Sequence, residues 1–152
     1  MFTLPLMQVL RISAKDTYPL RHKMLRPHGT IQDCIYSGDT DELTFHLGGF
    51  VDKKLVSSAS FYFENHPQFP SFEHQYRLRG MCTLPEFQKQ GFSQALLRTA
   101  FPLIKQNQCN LLWCNARKTA EGFYLKVGFI PYGDYFELPQ IGTHRLMSIE
   151  IR

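Results

Sequence analysis

Residues 88 to 94 read Gln88-Lys89-Gln90-Gly91-Phe92-Ser93-Gln94, a polar turn with one glycine and one lysine. Upstream, Gln75 to Thr83 has the composition of a strand, which Pro85 ends. Downstream of Ser93, the residues Ala95, Leu96, Leu97, Ala100, Phe101, Leu103 and Ile104 form an apolar stripe at helical spacing, interrupted by Pro102. A strand, a short turn and a helix start leave backbone N–H groups unpaired at the positive end of a helix dipole, and such a cluster binds phosphate oxygens. Gly91 has no Cβ to hold a ligand off the backbone, and Lys89 adds a point charge suited to a pyrophosphate or a 3′-phosphate. Taken alone, the same residues also suit a plain polar turn between strand and helix.

Other reactive side chains are less organised. The histidines at 22, 28, 46, 66, 74 and 144 show no HxH, HxxxH or HExxH grouping, so no metal is predicted. Cys34, Cys82, Cys109 and Cys114 make no CxxC pair and read as small hydrophobes. Cys114, on a run with strand character, has no evident histidine partner that would make it a nucleophile. Glu64, His66, Glu73 and His74 flank or occupy a loop with two prolines, Asn65 to Ser71, which is expected to be flexible and to face a substrate.

The elements that position these groups follow from periodicity. Val9 to Ile12 is predicted as a strand, and a helix follows from Asp16 until Pro27-His28-Gly29 stops it. Thr44–Val51 and Leu55–Phe63 are predicted as a hairpin around Asp52-Lys53-Lys54. Gln75–Thr83 alternates, with Tyr76, Leu78, Gly80 and Cys82 on one face and Arg77, Arg79, Met81 and Thr83 on the other. After the striped helix come a strand at Leu111–Asn115, a short helix at Thr119–Val127 stopped by Gly128, and two closing strands, the last at His144–Ile151. The order β-α-β-β-β-α-β-α-β-β predicts an α/β fold (α+β in some schemes) with a mixed, mainly antiparallel sheet flanked by helices.

With 152 residues and 43% hydrophobic content, one domain over residues 1–152 is expected. A net charge of +4 favours anionic ligands, but the basic residues are dispersed, so no nucleic-acid partner is predicted. The start, MFTLPLMQVLRIS, lacks a leading basic region and a cleavage site, and it is too short to span a bilayer. A cytoplasmic protein without a membrane segment is therefore expected.

The stretch Arg79-Gly80-Met81-Cys82-Thr83-Leu84-Pro85-Glu86-Phe87-Gln88-Lys89-Gln90-Gly91-Phe92-Ser93-Gln94-Ala95-Leu96-Leu97 resembles the strand, pyrophosphate loop and helix of the GNAT N-acetyltransferase superfamily. Gln88 and Gly91 satisfy its Gln/Arg-x-x-Gly-x-Gly/Ala pattern, while Ser93 stands where the last small residue is usual. Ala120-Glu121-Gly122-Phe123-Tyr124-Leu125-Lys126-Val127-Gly128-Phe129 resembles the family's tyrosine-bearing helix and the strand after it. Residue-level likeness spans roughly residues 76 to 130; elsewhere only the order of elements matches.

The resemblance implies an acetyl-CoA-dependent N-acetyltransferase that moves the acetyl group directly to a primary amine. A small-molecule acceptor is preferred here. Acetyl-CoA is implied as co-substrate, held by backbone groups of Met81, Cys82 and Thr83, by the loop Gln88, Lys89, Gln90, Gly91, Phe92, Ser93 and Gln94, and by Asn115, Arg117 and Phe123. Asn115 lies two residues before the family's usual asparagine position, which Arg117 occupies; Arg117 is assigned to a CoA phosphate. Tyr124 matches the family's acid: a phenol with a reference pKa of about 10 stays protonated at neutral pH and can protonate a thiolate whose conjugate acid is near about 8.5. Leu112 stands where the family sometimes has a basic glutamate, so the base is unassigned. A non-catalytic acyl-CoA-binding regulatory module and a protein or peptide N-acetyltransferase are the competing readings, and the family's habits allow a homodimer paired through the last strands.

Overall fold

The computed structural model describes residues 7–152. Strand β1 (Met7–Ile12) passes through Ser13 into helix α1 (Ala14–Leu25). The Asp16 amide donates to Ser13 Oγ at 3.3 Å and the Ser13 amide donates to the Asp16 carboxylate at 3.1 Å. This reciprocal box starts the helix at Ala14, ahead of the predicted Asp16. Strands β2 (Phe45–Val51) and β3 (Lys54–Phe63) form the predicted hairpin. Its turn is only Asp52-Lys53, both at positive φ (49° and 66°), as a two-residue turn matching strand twist requires.

Strand β4 (Tyr76–Thr83), helix α2 (Phe92–Gln106), strand β5 (Leu111–Arg117), helix α3 (Glu121–Val127), and strands β6 (Ile130–Leu138) and β7 (Gly142–Glu150) complete the chain. The order of elements is the predicted one. The seven strands of the described residues form one sheet, β1-β2-β3-β4-β5-β7-β6, antiparallel throughout except between β4 and β5. The mixed α/β class is as expected. The α2 stripe is the core: Leu96, Leu97, Ala100 and Ile104 are fully buried against Phe45, Phe61, Leu78, Leu112 and Cys114 of the sheet.

Directly opposed residues point to the same side of a sheet, so register assigns faces. Phe61 opposes Leu78, and both pack with α2. Ser60 opposes Arg79 and bonds Arg21 of α1. On β5, Cys114 and Ala116 belong with the α2 side; Asn115 and Arg117 therefore point to the α1 side, with His144, which opposes Arg117 on β7.

The predicted alternation of β4 fails partway. After Ser60↔Arg79 the next pair is Ser58↔Cys82, so Gly80 and Met81 together face the single Ala59. This bulge has Gly80 at φ 67°, a conformation that strains a side chain, and it inverts the facing downstream. Met81 consequently packs with Leu78 on the α2 side, while Cys82 turns to the α1 side beside Ser58. Neither residue shares the face that unbroken alternation predicts.

The loop at 65–71 also departs from expectation. Gln75 is buried; its Nε2 donates to the Phe69 and Phe72 carbonyls at 2.8 and 3.1 Å, and its Oε1 accepts from the His66 amide at 2.8 Å. Phe69 packs with Leu111, Trp113 and Leu146. A buried amide and an aromatic anchor thus tie down the segment that its prolines mark as irregular.

Candidate active site

Strands β4 and β5 pair only at Tyr76↔Leu112 and Arg77↔Trp113. Beyond Arg77 the bulged β4 and the straight β5 diverge, and a cleft of about 160 Å³ opens between them. It runs through the sheet. From the α2 side it is lined by Leu78, Met81, Cys114, Ala116 and Tyr124; from the α1 side by Arg26, Tyr36, Arg79, Asn115, Arg117 and His144. The edge of β4 from Arg79 to Thr83 has no partner on β5, leaving main-chain groups for a ligand.

Tyr124 is buried on α3, edge-on to Phe123 and Phe129 at 5.2 and 5.1 Å. Its hydroxyl points to Met81 Sδ at 3.9 Å, a weak acceptor. Burial first, then the nearby Cys114, pushes its pKa well above the ordinary phenol value, so the group is an undissociated O–H at neutral pH. Cys114 is itself buried and its thiol pKa is raised by burial, which makes it inert as a nucleophile.

His144 is buried across the cleft, stacked on Phe136. Its Nδ1 lies 2.8 Å from the Gly142 carbonyl, which can only accept. Nδ1 therefore carries the proton, and in the neutral ring Nε2 holds the lone pair. Glu64, His66, Glu73 and His74, the acid-base side chains around the proline loop, do not line this cleft. Glu64 pairs with Arg77 at 3.0 Å, and His66 lies against Trp113 and lines a separate hollow that also touches Asn115.

The turn at Gly91 lies beyond the end of β4. Gly91 caps α2 at φ 90°, and a Cβ built there would meet nothing within 4 Å, so the turn is open to an incoming group. The first helical hydrogen bond is Ala95 N–H to the Gly91 carbonyl at 3.0 Å, which leaves the amides of Phe92, Ser93 and Gln94 pointing out of the helix start. The glutamines shape the loop: Gln88 Nε2 donates to the Thr83 carbonyl and Gln90 Nε2 to the Glu86 carbonyl, both at 3.0 Å. The Phe92 ring is buried edge-on to Phe87, so only its amide faces outward. Lys89 and Gln94 are exposed, and Ser93 Oγ is 3.5 Å from Thr83 Oγ1.

Arg117 lies elsewhere. Its Nη2 donates to the Leu25 carbonyl at 3.4 Å, at the end of α1, in a cleft that no residue from 88 to 94 lines. Behind it stands a network that sequence reading missed. Arg21, fully buried, forks onto Asp39 at 2.7 and 3.0 Å and also donates to Cys34 O, Ser60 Oγ and Tyr62 Oη. His46 bridges Ser60 Oγ and the Asp39 carbonyl. Burial works to raise the Asp39 pKa, but its bonds from Arg21 and Tyr62 outweigh that and hold it below the usual range. The Tyr36 ring rests on this base, 4.1 Å from the Arg21 guanidinium, and lines the cleft. The residues come from segments remote in sequence, and only the acid-rich turn around Asp39 hints at them.

The sequence model of the acetyltransferase (GNAT) family matches residues 7–129. The chain belongs to the GNAT family. The uncharacterized N-acetyltransferase YitI of Bacillus subtilis is 39% identical over 147 residues, covering 97% of this chain and 98% of YitI. Among solved structures, FeeM, an N-acyl amino acid synthase from uncultured soil microbes, has a TM-score of 0.77 at 9% identity, covering 97% of this chain and 92% of FeeM. The ribosomal-protein-S18-alanine N-acetyltransferase of Escherichia coli has a TM-score of 0.70 at 15% identity, covering 96% and 94%. These two share the fold. This GNAT chain is an N-acetyltransferase, an enzyme acting on amine acceptors, from a family whose general acyl donor is acetyl-CoA. Among the described residues no group of three or more His, Cys, Asp or Glu could hold a metal, and no helix is long and apolar enough to cross a membrane.

Proposed function

We propose that this GNAT enzyme, working as one catalytic domain, transfers an acetyl group from acetyl-CoA directly to the primary amine of a small molecule, with Tyr124 as acid and His144 as base. The observation that carries the proposal is the divergence of β4 and β5 after Arg77 and Trp113, which puts Tyr124 and His144 into one cleft from opposite faces of the sheet. The unpaired edge from Arg79 to Thr83, which includes Met81, Cys82 and Thr83, suits an extended amide-bearing arm. The open turn at Gly91, with the amides of Phe92 to Gln94 and the charge of Lys89, suits a pyrophosphate. Acetyl-CoA supplies an acyl group activated as a thioester.

His144 Nε2 takes a proton from the acceptor ammonium, giving a nitrogen lone pair that forms the new C–N bond. As the C–S bond breaks, Tyr124 gives its proton to the leaving sulfur, the second proton shed by the new amide nitrogen restores the phenol, and His144 releases the first to solvent. The apolar surroundings that keep Tyr124 protonated also favour a neutral thiol over a thiolate. The small volume of the cleft, bordered by Leu138 and Ile141, favours a small acceptor over a peptide chain.

The test is calorimetric titration of acetyl-CoA into the protein and into a Gly91→Glu variant. A micromolar dissociation constant, weakened about 100-fold or more by an anion placed where the pyrophosphate sits, is the expected outcome. Absence of binding to the unmodified protein would overturn the assignment of the donor site.

A further inference from the structure

The cleft on the α1 side is lined by four arginines, Arg26, Arg77, Arg79 and Arg117, and, among the described residues, by no aspartate or glutamate. Arg77 is accounted for, since it pairs with Glu64 at 3.0 Å and stacks on Trp113 at 4.9 Å. The other three have no carboxylate partner among the described residues. Arg26 Nη1 and Arg117 Nη2 converge on one oxygen, the Leu25 carbonyl, at 3.0 and 3.4 Å, so two like charges sit side by side. The Arg79 side chain makes no hydrogen bond within the described residues; its guanidinium lies over the Tyr36 ring, 4.3 Å from the centroid.

 Burial, then the neighbouring Arg77, lowers the pKa of Arg79; burial, then Arg26, lowers that of Arg117. Both are cations held where a cation is costly. Contrast Arg21, which also lies over the Tyr36 ring but whose charge is met by Asp39 in a bidentate pair. The fold therefore supplies a carboxylate for the arginine it buries and none for the three that face the cleft, and an uncompensated cluster of this kind in a cavity is a site for an anion.

We propose that the acceptor is an amine that also bears a carboxylate, with the carboxylate held by Arg26, Arg79 and Arg117 and the amine presented to His144. This rests on the acetyltransferase reading above and narrows its substrate class. The planar guanidinium forks match a carboxylate, and a cleft of about 160 Å³ has room for a molecule of amino-acid size. All three arginines share the α1 side of the cleft with His144, away from the Gly91 turn. An acceptor with a second positive charge meets repulsion there.

The test has three arms. Acetyl-CoA is titrated into the protein and into Arg79→Met and Arg117→Met; affinity within about 3-fold of the unmodified protein is expected, and a loss above about 10-fold would reassign the arginines to CoA and overturn the proposal. At saturating acetyl-CoA, amino acids are compared with their carboxamides, phosphoethanolamine with ethanolamine, and both with a diamine. The carboxylates should be preferred in kcat/KM by about 10- to 100-fold, and the substitutions should erase this preference through KM. Preference for the carboxamides or the diamine sinks the proposal, and preference for phosphoethanolamine replaces the carboxylate by a phosphate. The third arm needs no turnover: succinate is titrated into the protein with and without saturating CoA. Saturable binding that either substitution abolishes supports the site, and no saturable binding up to about 50 mM overturns it. Failure of acetyl-CoA to bind defeats the acetyltransferase reading alone, because the succinate arm without CoA still reports on the arginines.

Discussion

The two faces of the sheet around the β4/β5 cleft are built from opposite materials. On the α2 side, Leu78, Met81, Cys114, Ala116 and Tyr124 form an apolar wall in which one hydroxyl meets only a sulfur. On the α1 side, Arg21, Asp39, His46, Ser60 and Tyr62 form a buried polar network that carries Tyr36, with Arg26, Arg79, Arg117 and His144 in front of it. One gap can therefore hold a proton donor and a proton acceptor without either neutralising the other. Low polarity keeps Tyr124 protonated on one side, while a carbonyl fixes the tautomer of His144 on the other.

The contrast can be broken most severely at Asp39. Asp39→Ala leaves the Arg21 charge buried without its partner and should lower stability by about 3–5 kcal/mol, measured as a shift in urea midpoint at constant slope. On the apolar side, Tyr124→Phe keeps the ring packing and removes only the proton. It should lower kcat about 100-fold, with acetyl-CoA affinity and unfolding midpoint unchanged. A kcat within about 3-fold of the unmodified enzyme would remove Tyr124 from the chemistry. His144→Gln should lower kcat/KM about 10-fold at neutral pH, with partial recovery at higher pH, where more of the acceptor amine is already deprotonated. A loss that does not change with pH would make His144 a structural residue.

The smallest expected effect is on stability against pH, to which the polar network contributes through His46. Burial lowers the His46 pKa in the folded state below the unfolded value of about 6.5. The unfolded chain then binds the proton first, so stability is complete above that value and is lost as pH falls toward the folded pKa. Asp39, whose folded pKa is also depressed, adds a second loss at lower pH, below its unfolded value of about 3.9. Urea midpoints between pH 7.5 and 5 should decline in the unmodified protein and decline less in His46→Gln; equal slopes would remove His46 as the cause.

Much of the fold was legible because periodicity is local. The α2 stripe, the hairpin around Asp52-Lys53-Lys54 and the glycines at 91 and 128, both left-handed helix caps, mark elements within a few residues of where they lie. The site was legible only where a motif is contiguous, as in the Gly91 turn. The bulge at Gly80 escaped because an inserted residue leaves the alternation of types intact while reversing its direction in space. The arginine cluster escaped for another reason: Arg26 caps the end of α1, Arg79 and Arg117 lie on β4 and β5, and only the packing of these three elements brings them together. Gln75 escaped because a glutamine at a strand end gives no sign that it will be buried as the anchor of a loop.

The parting of β4 from β5 after two pairs also has a kinetic meaning. A passage lined from both faces of a sheet lets two reactants approach the same point without sharing a doorway, so neither must leave before the other arrives. Turnover should then go through a complex holding both substrates, with double-reciprocal plots that intersect, and a dead-end CoA analogue should raise the apparent KM for acetyl-CoA without competing with the amine.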